Sequence, residues 1–219
     1  MTKSLASEKM SKTKSPTKLK TRSKLLMSAK KAIAEKGFDL VTIEDITSGA
    51  NVGFGTFYNH FQSKQDIAEA LFLKQIDDML FLIKTISEKE KDLHYIIAYI
   101  QKVILKKAII DKSWGWFVIK SYASHDIMTS AFISDASTHL ENGKNQNIFF
   151  IDNVDLVAKI TISSLFTVMK DLLNGEYKYN NISTELVKSM MLLYGVENNL
   201  ATEISKCTLP KYLNDLIDP

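Results

Sequence analysis

Apolar side chains return every three or four residues along most of this chain, the period of a helix with one buried stripe. Leu26, Ala29 and Ile33 form such a stripe over residues 21–36, Lys24, Lys30, Lys31 and Glu35 take the other faces, and Gly37 ends it. A second stripe, Ile67, Leu71, Ile76, Leu80 and Ile83, predicts a helix over 66–86 that stops at Ser87-Glu88-Lys89-Glu90-Lys91. Leu93, Ile96, Ile97, Ile100, Val103 and Ile104 predict the next over 92–110, followed by 114–122 and by 127–142, which ends at Gly143. Two wide amphipathic segments follow, 154–174 with Asn153 as its cap and 183–194 with Ser183 as its cap. Three prolines and eight glycines leave little to interrupt helices, and the expected fold class is all-α.

Between the first two stripes lies TIEDITSGANVGFGTFYNHFQSK, residues 42–64, which reads as two short helices and a tight turn. Thr42 followed three residues on by Asp45 is a helix-start signal, and Ile43 and Ile46 then face one way. Gly49, Ala50 and Asn51 interrupt the pattern; asparagine tolerates the left-handed backbone of a helix end, and Val52 plugs the turn. A second helix is expected over 53–61, with Phe57 and Phe61 on its inner face. Phe54, Thr56, Tyr58, Asn59 and His60 point outward, a set suited to phosphate oxygens and base edges, and Gly55 admits close backbone approach. Ser63 with Asp66 repeats the start signal, setting Lys64 at a helix N-terminus.

This run resembles the helix-turn-helix of the TetR family of bacterial transcriptional regulators. Ala50, Val52, Gly55, Phe57, Tyr58, His60, Phe61, Ser63 and Lys64 match the family pattern in register, while Asn51 stands for the turn glycine and Gly53 for the usual serine. The resemblance implies a three-helix DNA-binding domain at the N-terminus and a larger helical ligand-binding and dimerisation domain behind it. It implies that Thr42, Tyr58, His60 and Lys64 hold phosphates, that Gly53, Phe54, Thr56 and Asn59 sit in the major groove of a palindromic operator, and that Gly55 belongs to the same DNA-binding set.

Composition bounds the rest. A chain of 219 residues with 45% apolar content is globular, and its net charge of +3 is unevenly spread. Residues 1–24 hold eight Lys or Arg against the single acid Glu8, so positive charge concentrates beside the reading helices. Residues 1–19 have few apolar groups and are expected to be a basic tail, either a solvated extension or an arm that adds phosphate contacts. The domains are then 20–66 for DNA and 67–219 for effector and dimer. Cys207 is the only cysteine, which suits a reducing, cytoplasmic setting, and no run is long and apolar enough for a membrane span.

Aromatic and methionine residues gather in the middle: Tyr95, Tyr99, Trp114, Trp116, Phe117, Tyr122, Met128 and Phe132. Singly each reads as core; the resemblance implies that together they enclose a small, largely apolar effector. In the last two segments the wide stripes offer Leu165, Phe166, Met169, Leu172, Met190, Met191 and Tyr194 for a two-fold four-helix interface. No nucleophile elbow, phosphate loop or metal motif is present, and His60, His94, His125 and His139 fall in separate segments. The expectation is a homodimeric repressor without catalytic residues, metal or cofactor. An effector-independent architectural or interaction protein using the same head is the alternative.

Overall fold

The structure is a computed structural model that describes residues 16–122 and 126–218, with backbone alone for 126–128. Eleven α-helices are found among the described residues. The head consists of α1 (Pro16–Lys36), α2 (Ile43–Ala50) and α3 (Phe54–Tyr58). The body consists of α4 (Lys64–Lys89), α5 (Leu93–Ile110), α6 (Lys112–Tyr122), α7 (Asp126–Asn145), α8 (Val154–Asn174), α9 (Tyr179–Leu193), α10 (Asn198–Ser205) and α11 (Lys211–Ile217). None is long and apolar enough to cross a membrane.

Local chemistry explains most boundaries. Asp45 N donates to Thr42 Oγ1 at 3.1 Å and Thr42 N donates to Asp45 Oδ2 at 3.0 Å, the reciprocal cap expected at the start of α2. Asn51 closes α2 with φ 52°, in the left-handed region. Ser63 Oγ accepts from Asp66 N at 3.1 Å and Asn153 Oδ1 from Leu156 N at 3.0 Å, starting α4 and α8. Gly175, at φ 80°, ends α8.

Other boundaries differ from expectation. α1 begins at Pro16, where a missing N–H costs nothing, so 16–19 of the expected tail are helical and 1–15 lie outside the described residues. Leu25 joins Ala29 and Ile33 on its buried face, with Leu26 only partly covered. α3 is five residues long, and the chain leaves it at Asn59, yet Phe61 still reaches the core. α4 continues through Ser87 to Lys89 because Ile86, wholly buried, holds that turn against the body. α7 continues through Gly143 to Asn145, Gly143 lying beneath the Phe149 ring where a side chain would not fit. α9 starts at Tyr179, so Ser183 is a buried helical residue and not a cap.

Two helices close the C-terminus. The buried Lys102 of α5 donates from Nζ to Ser205 O and Cys207 O at the end of α10, where carbonyls lack helical partners. Cys207 is a free, partly covered thiol whose pKa burial raises.

The Lys36 ammonium and the Thr42 cap bond the Asp45 carboxylate and hold its pKa at about 2. The folded head thus binds that proton more weakly than the unfolded chain, so the contribution is complete above about pH 4 and lost as pH falls toward 2. Asp45→Asn should remove this acid dependence, followed by amide NMR of residues 43–50. A wild-type head whose amides there show no titration below pH 4 would contradict it.

Candidate nucleic-acid interface and body cavity

The head is built by close approach of small groups. Ser28 Oγ on α1 donates to Ile46 O at 2.8 Å, and Gly49 passes so near Ser28 that a Cβ there would collide with it. α2 is thereby pressed against α1. Phe57 on α3 and Phe61 just beyond it turn their rings inward, 5.8 Å apart, with the Arg22 guanidinium 4.9 Å above Phe61. On the opposite side Phe54 and Tyr58 stand 54% and 51% exposed, edge to face at 5.5 Å. The two rings form a small apolar contact on the outer face of α3.

Thr56, Asn59 and His60 share an open polar groove with Thr17, Lys18 and Thr21 of α1. Sequence reasoning missed that second wall, although Pro16 as a helix-starting residue was a signal for it. Thr42, Gly53 and Gly55 are exposed on the same head. Nothing lies within 4 Å of the Cβ an alanine at Gly55 would carry. Lys64 has an internal task as well, donating from Nζ to Phe38 O at 3.0 Å and Asp39 O at 3.2 Å, with its ammonium 4.7 Å over the Phe38 ring. It ties the start of α4 to the loop between α1 and α2.

The head is also fastened to α6 and the loop before it. Lys30 Nζ reaches Asp111 Oδ2 at 2.9 Å and Lys120 Nζ donates to Glu35 O at 2.6 Å. Burial raises the Asp111 pKa, but the hydrogen bonds from Lys30 and from the Trp114 amide outweigh it and leave the carboxyl below its usual value.

Inside the body, α4, α5, α7, α8 and the end of α9 line a small, partly open cavity of about 50 Å³. Ile83, Ile97, Ile104, Phe132, Leu140, Ile162 and Leu165 supply apolar walls, and Gln101, Asp135, His139, Thr161 and Tyr194 the polar groups. Tyr194 is wholly buried, which pushes its phenol pKa far up, against the bonds from Thr161 and Gln101. Burial also raises Asp135, opposed by the nearby His139. A mostly apolar space with a few converging polar groups is what small-molecule sites look like.

Of the side chains expected to line such a space, Phe132 does. Tyr95 and Tyr99 lie 6.0 Å apart, and burial, with a smaller contribution from Cys207 near the C-terminal helices, raises both phenols. Trp114 is buried under the Lys107 ammonium, beside α4 and α11, and Trp116 lies beneath Lys120. Phe117 is spent on packing with Phe72 at 5.7 Å. Tyr122 packs on Phe166 at 4.4 Å and its hydroxyl meets Ser163 at 3.2 Å, while the Met128 side chain lies outside the described residues. Large rings filled the core instead of leaving space in it. The missed polar lining carried a signal: Gln101 and Thr161 are polar residues on otherwise apolar stripes of α5 and α8.

The seven residues expected at a two-fold interface are all buried within the single chain, from 0% to 7% exposed. Leu165 and Tyr194 line the cavity instead. The apolar residues that α8 and α9 leave at the surface are Leu156, Ile160, Leu192 and Leu193. Among the described residues no three His, Cys, Asp or Glu side chains gather as a metal site would require.

A short reading helix presented by a three-helix head on an all-helical body with an internal cavity defines a helix-turn-helix DNA-binding regulator. Residues 25–71 match "Bacterial regulatory proteins, tetR family", and residues 94–207 match "Tetracyclin repressor-like, C-terminal domain". The chain belongs to the TetR family of transcriptional regulators. Among solved structures, it is similar to RolR without ligand at 28% identity and TM-score 0.66, covering 86% of this chain and 98% of that one. RolR in complex with resorcinol matches at 27% identity and TM-score 0.69, covering 89% and 97%. The fatty acid degradation regulator FadR from Bacillus halodurans shares the fold at 18% identity and TM-score 0.69, covering 84% and 97%.

Gly55→Ala should leave the unfolding midpoint unchanged or slightly raised, since the fold has room for the methyl group and alanine favours helix, while duplex binding weakens. Unaltered binding in a gel-shift titration would show that no backbone approaches there. Lys64→Ala should cost about 1 kcal/mol in urea unfolding, through lost bonds to the Phe38 and Asp39 carbonyls, and weaken specific and random duplexes by the same factor. Unchanged stability would remove its role as a strut.

Proposed function

We propose that the protein is a homodimeric repressor that holds a palindromic operator and releases it when a small, largely apolar molecule occupies the body cavity. One observation carries the reading. α4 starts at the Ser63 and Lys64 anchor of the head and, nineteen residues or about 28 Å further on, places Ile83 in the cavity wall. A single rigid element thus touches both sites. Bound duplex is met by Phe54, Gly55, Thr56 and Asn59 in the major groove, with Gly53 at the helix entry. Thr42, Tyr58 and His60 hold phosphates beside them, and Lys64 adds a general positive charge.

The second copy sits on the apolar strip of Leu156, Ile160, Leu192 and Leu193, which spaces the two reading helices about 34–36 Å apart on one face of the duplex. The effector acts by binding one arrangement of the heads better than the other, and shifts operator binding only by that difference. RolR, more than a quarter identical over most of its length, is solved with resorcinol, which supports an effector of one small ring. Such a regulator works in the cytoplasm, where the chromosome is. The cavity weighs against an architectural protein that responds to no ligand.

Ile160→Glu combined with Leu192→Glu should yield a folded monomer by sedimentation and weaken binding to a selected palindrome at least about 100-fold, by loss of the second head. A variant that stays dimeric would move the interface elsewhere. Operator selected from random duplexes should dissociate on adding a cavity ligand, read by fluorescence anisotropy; retention of DNA by the ligand-saturated protein would sink the release mechanism.

A further inference from the structure

The hydrogen bonds at one end of the cavity have a fixed direction. Thr161 Oγ1 donates to Val157 O at 2.8 Å, so in its 2.9 Å contact with Tyr194 it receives the phenolic proton. The Tyr194 oxygen is left as an acceptor, and Gln101 Nε2 donates to it at 3.4 Å. This chain assigns the Gln101 amide, with nitrogen toward Tyr194 and Oε1 turned away. Gln101 is 3% exposed and lines the cavity, and its Oε1 has no hydrogen-bond partner among the described residues. A buried carbonyl oxygen without a donor is costly to maintain unless something supplies one. From α7 the same cavity is lined by Asp135, whose Oδ2 lies 3.6 Å from His139 Nδ1 while that nitrogen also meets Asp135 O at 3.0 Å. A carboxylate guest would meet a like charge in a poorly solvated space.

We propose that the cavity selects a neutral small molecule bearing a hydroxyl group, which donates its proton to Gln101 Oε1, and that Asp135 turns away carboxylates. This rests on the reading of the cavity as the effector site. Asp135 and a carboxylate guest would be like charges sharing one poorly solvated space, which is the source of the discrimination.

Three probes with one methyl-substituted ring separate the parts: m-cresol, toluene and 3-methylbenzoate, titrated calorimetrically into the full chain. The hydroxyl should give m-cresol at least about tenfold tighter binding than toluene, and 3-methylbenzoate should show no binding. Gln101→Met should bring m-cresol and toluene within about twofold of each other with toluene still bound, and Asp135→Asn should admit 3-methylbenzoate. Equal binding of m-cresol and toluene by the wild type overturns the hydroxyl selection and leaves the effector site standing. Wild-type binding of 3-methylbenzoate as tight as that of m-cresol overturns the part assigned to Asp135. If none of the three binds while operator is still held, the cavity is not an effector site for a small ring, and the underlying reading falls with the selection. Should Gln101→Met fail to fold, the wild-type ratio of m-cresol to toluene decides.

Discussion

The structure depends on α4 being one unbroken helix that carries a single continuous core from the head into the body. Its first turn is pinned to the head by the Ser63 cap and by Lys64 on the Phe38 and Asp39 carbonyls, and Ile67 and Leu71 are buried there. Its last turns bury Ile83 and Ile86 in the body. A helix transmits displacement because each turn is bonded to the next, so a change in packing near Ile83 cannot be absorbed locally as it would be in a loop. The head has too little apolar area of its own to settle independently, which keeps it coupled to whatever α4 does.

A second connection runs from α1 to α6, and its character differs. The Lys30 to Asp111 pair and the Lys120 bond to Glu35 O are partly exposed, and such pairs contribute modestly. They are better at choosing orientation than at supplying stability. The head is therefore held by two attachments of different kinds, one a shared helix and one a polar clasp.

The cavity shows why aromatic content alone is a poor guide to a ligand site. Phe117, Trp114 and Phe166 are flat and large, and they fill space between helices efficiently. Empty volume arises instead where α5, α7 and α8 diverge around Ile97, Ile104 and Leu165, and where polar groups such as Gln101 and Thr161 spend their bonds on Tyr194. The same logic governs the outer face of α8. A wide apolar stripe on α8 serves both the interior, through Leu165 and Met169, and the exterior, through Leu156 and Ile160.

What could be read without coordinates was local: the Thr42 and Asp45 cap, the left-handed Asn51, the inward Phe57 and Phe61 and the helical class of the whole chain. Each depends on residues within about one or two turns of each other, where spacing dictates geometry. What needed the folded chain was long-range: Gln101 meeting Tyr194, Lys64 reaching back to Phe38, and the division of each stripe into buried and exposed halves. Periodicity says that a face is apolar, but only the angle at which helices pack decides which neighbour covers it and where a gap remains.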